Sequence, residues 1–353
     1  MRIAAYTGGH RLPSARLRVR QYGPHLRQFD IEIYEHVLRW ESSLSAKRGW
    51  APAWMAATFA QRAIHQCASY SCDLTLIQRQ LLPAFIPTHR FTKAPRVLDV
   101  DDAIWLNRGG KRVVELAKSC ELIICGNRFL ADQFISWNDN VVVLPTPVDT
   151  DAIVPAKRRG AGRPVIGWTG TGENLRYVCP LERSLAAVLD RFPEARLMVV
   201  SDIAPKFTSI PSHRIEYVPW TPDSEIAALQ RMTIGIMPLE DTLWVRGKCA
   251  FKMLCYMAAG VPVVVSPVGM NAEVLKLGEL GIGATRADDW VESLSFLLAE
   301  PDFAVRMGTL GREIAVTNFS LRALAPRLAA ELKKAAGLSG GPMLATGQSP
   351  CAV

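Results

Sequence analysis

The chain has 353 residues, which is more than one domain usually holds and fits two domains of about 150–200 residues each. Hydrophobic residues make up 49% of it and charged residues 21%, as in an ordinary globular protein, and no apolar run reaches the ~18 residues that span a bilayer. The net charge of +8 suits phosphate, nucleic acid or anionic lipid as partners, or general solubility, but zinc-finger spacings and long Lys/Arg blocks are missing from the sequence. We expect a cytoplasmic protein that binds no nucleic acid, with peripheral contact at the anionic inner face of the membrane as a further expectation.

The eight cysteines include two pairs with four residues between the partners, Cys67 with Cys72 and Cys120 with Cys125. Two such pairs are compatible with a zinc site. Most of the cysteines lie in apolar segments without turn residues or nearby histidines, which is typical of buried, reduced thiols. We therefore favour small apolar side chains over metal ligands at these positions.

Short apolar runs alternate with helical patterns in the first half of the chain. Apolar runs predict strands at residues 2–6, 31–36, 74–78, 96–100, 122–125 and 141–144, and apolar residues at helical spacing predict helices at 15–28, 54–69, 113–119 and 128–136. Strands separated by crossover helices predict a parallel sheet with helices on both faces. The first domain is predicted to span residues 1–155.

The same alternation begins again after a polar, basic, Gly/Pro-bearing stretch at 156–164, which has the composition of a linker. A second domain is predicted at 165–320, a final helix that packs back toward the first domain at 321–336, and a disordered Gly/Ser/Pro-rich tail at 337–353. Doubly wound sheets bind ligands at the carboxyl ends of their strands. Two facing domains therefore predict a cleft, with a nucleotide held by one domain and a second substrate by the other.

The segment at 234–274 predicts a phosphate site. A buried strand and a glycine-bearing loop lead into a helix predicted from residue 248 to 260. A helix N-terminus after such a loop favours phosphate, and Arg246, Lys248 and Lys252 place cations around it, the two lysines on one helix face. We expect these cations to hold a diphosphate and to offset the charge that develops when it leaves, without Mg²⁺. The alternative for the two lysines is a solvated helix face.

The stretch GKCAFKMLCYMAAGVPVVVSPVGMNAEV at 247–274 resembles the donor-binding helix and following loop of family 4 (retaining) glycosyltransferases of the GT-B fold. Other pieces agree in order: Gly8–Gly9, VLDVDDAIW at 97–105, IICGNRFLADQF at 123–134, VVVLPTPVD at 141–149 and VIGWTGTGENLRYV at 165–178. The resemblance covers roughly residues 1–335 and implies an α/β chain of two Rossmann-like domains that face a cleft. It also implies transfer of a hexose-type sugar, with retention, from a nucleotide-diphosphate sugar to a glycan, lipid-linked or other acceptor, without a metal or other cofactor.

The chain departs from that family at two positions. Family members usually carry two glutamates with seven residues between them, one near the sugar and one on the ribose, and these positions are Gly247 and Cys255 here. The chain resembles a branch with Trp-x-Arg-Gly-Lys before the helix, in which basic residues take over part of the donor contact. The resemblance implies catalytic roles for a set of polar residues around that motif: Asp241, Arg246, Lys248 and Lys252.

The other donor contacts implied by the resemblance lie on loops and on the helix of the motif. They are Gly8, Gly9, Gly170, Thr171, Gly172, Trp220, Cys255, Pro267, Val268, Gly269, Asn271 and Glu273. Two alternatives stay open, a helix cap for Asn271 and a core aromatic for Trp220.

The acceptor-side residues expected in the first domain are His10, Arg11, Asp101 and Asp102. The Arg-rich stretch that follows, with Arg16, Arg18 and Arg20, suits an anionic acceptor, a lipid surface or a solvated helix face. A metal role for the aspartates disagrees with the resemblance, which implies none.

Two other classes of function are alternatives to this interpretation. An NAD-type oxidoreductase is disfavoured, because no Gly-x-Gly-x-x-Gly loop follows the first strand. A degenerate GT-B protein that binds a nucleotide sugar or a partner without turnover remains the alternative, because both family glutamates are absent.

Overall fold

The computed structural model describes residues 1–10, 12–37, 60–61, 64–79, 91–107, 110–156 and 162–338. The chain divides into two compact units. Unit 1 contains Met1–Pro147, Gly247–Cys249 and the chain from Leu321 onward, and unit 2 contains Val148–Arg246 and Ala250–Ser320. The boundaries predicted from the sequence stay a prediction. Residues 157–161 of the predicted linker and 339–353 of the predicted tail lie outside the described ranges.

Unit 1 is built on a six-stranded parallel sheet whose central strands are buried on both faces, as the Val, Ile and Leu runs predict. The strand order is β2-β1-β3-β4-β5-β6. The strands are β1 (Arg2–Thr7), β2 (Glu32–Val37), β3 (Leu74–Gln78), β4 (Arg96–Val100), β5 (Leu122–Cys125) and β6 (Val141–Val143). Its α-helices include Pro13–Arg18, Gly23–Leu26, Gly110–Lys118, Arg128–Phe134 and Leu321–Ala335.

The first predicted helix of unit 1 differs from the structure. The helix predicted at 15–28 is broken into short helices joined by 3₁₀ turns at Arg20–Tyr22 and Arg27–Phe29, and a Gly-Pro pair begins the second of them. The helix Leu321–Ala335 supplies Leu324, Leu328 and Leu332 to the same core as strands β1, β3 and β4. Residues from the far end of the chain thus complete this core.

Unit 2 is a second six-stranded parallel sheet, with strand order β12-β11-β10-β7-β8-β9. Its strands are β7 (Val165–Thr169), β8 (Arg196–Ser201), β9 (Ile215–Pro219), β10 (Ile234–Met237), β11 (Val263–Val265) and β12 (Gly281–Gly283). Its α-helices are Leu175–Val178, Glu182–Arg191, Pro222–Arg231, Leu243–Arg246, Phe251–Ala258, Met270–Leu275, Ala287–Ala299 and Pro301–Ile314. The predicted fold class, two doubly wound parallel sheets, is confirmed. The short strand β12 was not predicted, because its three residues carry two glycines.

The helix predicted from Lys248 begins only at Phe251. Ala250, its N-cap residue, has a left-handed backbone with φ of 50°, which interrupts helical geometry between Arg246 and Phe251. Lys248 therefore lies outside the helix and does not share a helix face with Lys252, so that expectation is wrong. No helix within the described ranges is long and apolar enough to cross a bilayer.

Candidate functional site

The point at which the strand order of unit 2 reverses lies between β7 and β10, the usual ligand crevice of such a sheet. These strands pair through Ile166 with Ile234 and Gly167 with Gly235. After these two residue pairs, a side chain from a neighbouring helix replaces the direct hydrogen bonds between the two strands. The hydroxyl of Tyr256 accepts a hydrogen bond from the N–H of Thr169 (2.9 Å) and donates one to the carbonyl of Ile236 (3.2 Å). The ladder thus ends at the carboxyl edge without leaving these buried backbone groups unpaired.

Tyr256 fits at this point because Gly235 has no side chain. A Cβ on Gly235 would lie 2.4 Å from Cγ of the Tyr256 ring, too close for any other residue. Burial raises the pKa of the Tyr256 hydroxyl, so the group is neutral and able to donate. The helix Phe251–Ala258 is thereby locked against the two strands that form the crevice.

Lys252 stands in the first turn of that helix, whose N-terminus has no side-chain cap. Its Cε lies 2.6 Å from the point that a Cβ on Gly170 would occupy, and its Nζ lies 5.9 Å from the ring centroid of the buried Trp168. The lysine stem therefore passes close to the loop after β7. A lysine and the positive end of a helix dipole meet at this edge, which favours an anion there.

The loop after β7 allows close approach but uses its own polar groups internally. The N–H of Gly170 donates to the carbonyl of Val200 (3.0 Å), and the N–H of Gly172 donates to the carboxylate of Asp202 (2.6 Å). The hydroxyl of Thr171 accepts from Asn174 (2.7 Å). The predicted phosphate loop is therefore held rigid by Asp202, a residue that the sequence reasoning missed.

Arg246 and Asp241 form a two-pronged ion pair on the loop after β10, with N–O distances of 2.6 and 2.8 Å. Both side chains are about half exposed, 46% and 52%. Accepting these hydrogen bonds lowers the pKa of Asp241, and donating them raises the pKa of Arg246. Asp241 is thus placed to orient the guanidinium of Arg246.

The loop after β11 is built on Gly269, whose φ of 55° is disfavoured for residues with a side chain. A Cβ there would lie 2.8 Å from the carbonyl oxygen of Arg246. Asn271 is 1% exposed, and its side-chain amide donates to the carbonyl of Ser266 (3.1 Å). Asn271 therefore stabilises the loop from inside, and the alternative role as helix cap is wrong because Gly269 holds that position.

The remaining donor-side residues differ in exposure. Pro267 is exposed, and Val268 and Glu273 are half-buried. Trp220 is 36% exposed at the end of β9, so the alternative of a core aromatic is wrong. Cys255 is 1% exposed, which leaves its thiol no open surface for the hydroxyls of a ribose and contradicts the expected contact.

Lys248 lies in unit 1, within the segment Gly247–Cys249. The side-chain amide of Asn127 donates to the carbonyl of Lys248 (3.0 Å), and Sγ of Cys249 donates to the carbonyl of Asp101 (3.3 Å). A Cβ on Gly247 would lie 2.8 Å from the backbone nitrogen of Ala103. Unit 1 therefore has no room for the side chain of the family glutamate at residue 247.

The loop after β1 contains Gly8, Gly9 and His10, while Arg11 lies outside the described residues. The guanidinium of Arg20 donates to the carbonyls of His10 (2.7 Å) and Gly9 (3.3 Å). Glu35 on β2 orients the same guanidinium at 2.7 Å. Arg20 thus shapes the predicted acceptor-side loop, which its place in an Arg-rich stretch did not reveal.

Asp101 and Asp102, after β4, are both paired with Arg79. The distance from Nε of Arg79 to Asp101 is 2.6 Å. Burial by itself raises the pKa of Asp101, but Arg79 and the more distant Arg18 outweigh it and hold that pKa below its usual value. Asp101 is therefore ionised, and Arg79, a residue that the sequence reasoning missed, pairs with both carboxylates.

Arg18 does not belong to a solvated face. It is 3% exposed and pairs with the buried Asp99 at 2.6 Å, and it also donates to the carbonyl of Leu144 (2.7 Å). Neither an acceptor nor a lipid surface is accessible to it. The expectation that Arg18 meets an anionic partner is wrong, because its charge is used to join β4 to the segment after β6.

Among the described residues, no group of three or more His, Cys, Asp or Glu side chains is arranged to hold a metal ion. The described cysteines are unbonded thiols, and Cys72, Cys120 and Cys125 are buried.

Comparisons with known proteins agree with this fold. Residues 163–300 match the family model described as "Glycosyl transferases group 1". In fold, the chain is similar to sucrose-phosphate synthase from Thermosynechococcus elongatus, at 13% identity and a TM-score of 0.70, over 96% of this chain and 100% of that one. The chain has the GT-B fold.

Two further solved structures with this fold are similar over nearly the whole chain. Anabaena Alr3699/HepE in complex with UDP and glucose has 13% identity and a TM-score of 0.70, over 95% of this chain and 100% of that one. A glycosyltransferase from Rickettsia africae has 14% identity and a TM-score of 0.70, over 96% and 99%. A search of curated proteins by sequence gives no match.

Proposed function

We propose that the chain is a glycosyltransferase that moves a hexose-type sugar from a nucleotide-diphosphate sugar to a glycan, lipid-linked or other acceptor. The observation that carries the proposal is Lys252 at the uncapped N-terminus of the helix Phe251–Ala258, beside the loop after β7. This site lies within the matched segment at 163–300. Anabaena Alr3699/HepE, which shares the fold, forms complexes with UDP and glucose.

The cations on this segment suit a leaving diphosphate. As the bond between the anomeric carbon and the phosphate oxygen breaks, negative charge grows on the diphosphate, and Lys252 with the helix N-terminus stabilises it. Arg246, oriented by Asp241, adds a second cation to unit 2. These fixed charges support the proposal that no metal is required.

The proposed transfer retains the configuration of the sugar. The acceptor oxygen forms the new bond to the anomeric carbon on the face that the diphosphate leaves, and the leaving phosphate oxygen takes the acceptor proton. The products are the glycoside and a nucleoside diphosphate. Such a step requires no protein carboxylate as base, which suits a chain with Gly247 and Cys255 at the positions of the family glutamates.

The proposal is tested by calorimetric titration with UDP, GDP and ADP, each with and without EDTA. We expect one nucleotide to bind with micromolar affinity, unaffected by EDTA. Lys252→Ala removes a charged hydrogen-bond donor worth about 1.5–3 kcal/mol, which corresponds to a roughly 10- to 150-fold weaker Kd. Lys276→Ala, at an exposed lysine of unit 2, is the matched control. Equal affinity of Lys252→Ala and wild type would refute the assignment of this site.

A second candidate is a GT-B protein that binds nucleotide sugar without turnover. It is favoured by the burial of Cys255 and by the lack of room for a glutamate side chain at Gly247. Release of nucleoside diphosphate from the corresponding donor distinguishes the two. Transfer or slow hydrolysis of donor supports the enzyme, and tight binding with no release over hours supports the binding protein. A cytoplasmic location and contact with an anionic membrane remain part of the proposal, supported by the net charge of +8.

A further inference from the structure

Unit 2 contains a cavity at the edge of its sheet that is opposite to the proposed donor site. Its volume is about 520 Å³, which is within the range of small-molecule sites. Residues at the amino-terminal ends of the strands line it, including Val165 of β7, Arg196 of β8 and Thr233 just before β10. The first and last of the five residues of β7 are separated by four steps of about 3.3 Å, so the two edges are roughly 13 Å apart along this strand.

The charges around this cavity do not cancel. It is lined by Arg163, Arg196, Arg231 and Glu216. Arg231 and Glu216 neutralise each other through two hydrogen bonds of 2.6 and 2.7 Å. Arg163 forms a long, solvent-exposed pair with Glu194 (3.5 Å), and such pairs contribute little to stability.

Arg196 donates a hydrogen bond to the backbone carbonyl of His213. Within the described part of the chain, no carboxylate lies within ion-pair distance of Arg196. The cavity therefore carries a net positive charge, from Arg196 and in part from Arg163. A phosphate monoester carries about −1.5 to −2 at neutral pH and is opposite in sign. Guanidinium groups bind phosphate oxygens in a two-pronged geometry.

The opposite wall of the cavity is apolar. Met232 and Pro262 form its buried part, and Pro301, Ala304 and Val305 come from the first two turns of the helix Pro301–Ile314. No side chain caps this helix N-terminus, which adds a positive dipole end to the cavity. A ligand with a charged head and an apolar portion satisfies both walls.

We propose that this cavity is a second binding site, for an amphiphilic phosphate monoester. The head is held by Arg163 and Arg196, and the apolar portion lies against Val305 and its neighbours. The site is independent of the proposed donor site, since the two share no residue. Two sources supply this chemistry, a soluble alkyl phosphate and the headgroup of a phosphatidic acid in a membrane.

The test is calorimetric titration of the full chain with octyl phosphate, in the presence of saturating nucleoside diphosphate so that the donor site is filled. We expect binding to wild type and at least tenfold weaker binding to Arg163→Ala/Arg196→Ala. Arg183→Ala, at an exposed arginine of the same unit, should bind as wild type. Absence of binding, or equal binding by the double variant, would overturn the proposal.

Two substitutions at Val305 distinguish the effect of charge from the effect of packing. Val305 is 45% exposed, so replacing it leaves the core intact. Val305→Asp and Val305→Asn are nearly equal in shape, and only the first adds a negative charge. We expect Val305→Asp to bind octyl phosphate at least fivefold more weakly than Val305→Asn. Equal affinities would contradict the placement of the phosphate.

The source of the ligand follows from two further titrations. Inorganic phosphate that binds as tightly as octyl phosphate would refute the role of the apolar wall. Sedimentation with vesicles of phosphatidylcholine containing phosphatidic acid, lost in Arg163→Ala/Arg196→Ala, would identify the membrane as the source. Binding of octyl phosphate without vesicle sedimentation would identify a soluble ligand.

Discussion

At the scale of single residues, the positions that define the site are decided by space as much as by charge. Gly247 occupies the position of a glutamate in the family that the sequence resembles. A Cβ at this position would lie 2.8 Å from the backbone nitrogen of Ala103, so a larger residue does not fit. Gly235 is required because the ring of Tyr256 covers it. Gly247 thus allows close packing against Ala103, and Gly235 allows close packing against the helix that carries Lys252.

Gly247→Ala should therefore be destabilising. The added methyl group meets Ala103 at 2.8–2.9 Å, which costs about 1–3 kcal/mol because backbone has to move. Gly23→Ala is the control, since a Cβ there meets nothing within 4 Å and the backbone is helical. Thermal unfolding of both variants measures the effect. Equal melting temperatures for Gly247→Ala and Gly23→Ala would contradict this prediction, because they would show that the segment 247–249 moves to admit a methyl group at little cost.

Tyr256→Phe should lower stability by about 1–3 kcal/mol, because the N–H of Thr169 and the carbonyl of Ile236 lose their buried partner. Hydrogen exchange at the N–H of Thr169 should also become faster. Tyr22→Phe is a matched control, since the Tyr22 hydroxyl is buried and has no hydrogen-bond partner among the described residues. The control should lose little stability, and an equal loss in both variants would mean that the bridge contributes nothing specific.

At the scale of elements, the ends of the parallel strands collect the polar residues of both units. Arg79 after β3 holds Asp101 and Asp102 after β4, and it adopts a left-handed backbone with φ of 62° to do so. In unit 2, the ends of β7, β10 and β11 carry Gly170, the Arg246–Asp241 pair and Gly269. This arrangement follows from parallel strands, whose carboxyl ends meet at one edge.

The pair of Asp101 with Arg79 predicts a pH dependence. The pKa of Asp101 is lower in the folded chain than the usual value of about 3.9 for an aspartate, so the pair stabilises the fold above pH ~4 and this contribution is lost as the pH falls through the folded pKa. Asp101→Asn should lower the melting temperature at pH 7, by the equivalent of about 1–3 kcal/mol. The difference from wild type should shrink between pH 4 and pH 2. A constant difference over that range would contradict the lowered pKa.

At the scale of the whole molecule, the chain is two units with separate hydrophobic cores. Unit 1 takes Leu321–Ala335 from beyond unit 2, and its core includes Leu324 from that helix. The core of unit 2 includes Leu185, Trp168 and Trp290. Separate cores predict separate responses to core mutations.

Leu324→Ala and Leu185→Ala test this independence. Each removes a fully buried leucine and should cost about 2–5 kcal/mol. Leu324→Ala should lower the unfolding transition of unit 1 and Leu185→Ala that of unit 2, as followed by hydrogen exchange in each core. Nucleoside diphosphate should raise only the unit 2 transition, because binding stabilises the unit that holds the ligand. Equal loss of protection in both cores from either mutation would show a single cooperative unit.

Several features were open to prediction because they depend on neighbours in sequence. Apolar runs separated by helical spacing identified the six strands of unit 1, and the Gly/Pro-flanked segment at 234–274 indicated an anion site at a helix N-terminus. Lys252 and the glycines after β7 and β11 were found in this way. The sequence by itself thus determined the two parallel sheets and the part of unit 2 that holds the candidate site, since burial patterns and turn residues are local properties.

The partners of those residues were decided by the tertiary structure alone. Arg18 pairs with Asp99 across 81 residues, Arg79 meets Asp101 from a neighbouring strand, and Asn127 reaches the carbonyl of Lys248 across 121 residues. The start of the helix at Phe251 likewise depended on the backbone of Ala250. Charge pairing and backbone strain depend on distances in space. A pattern of residue types along the chain does not contain those distances until the sheets are assembled.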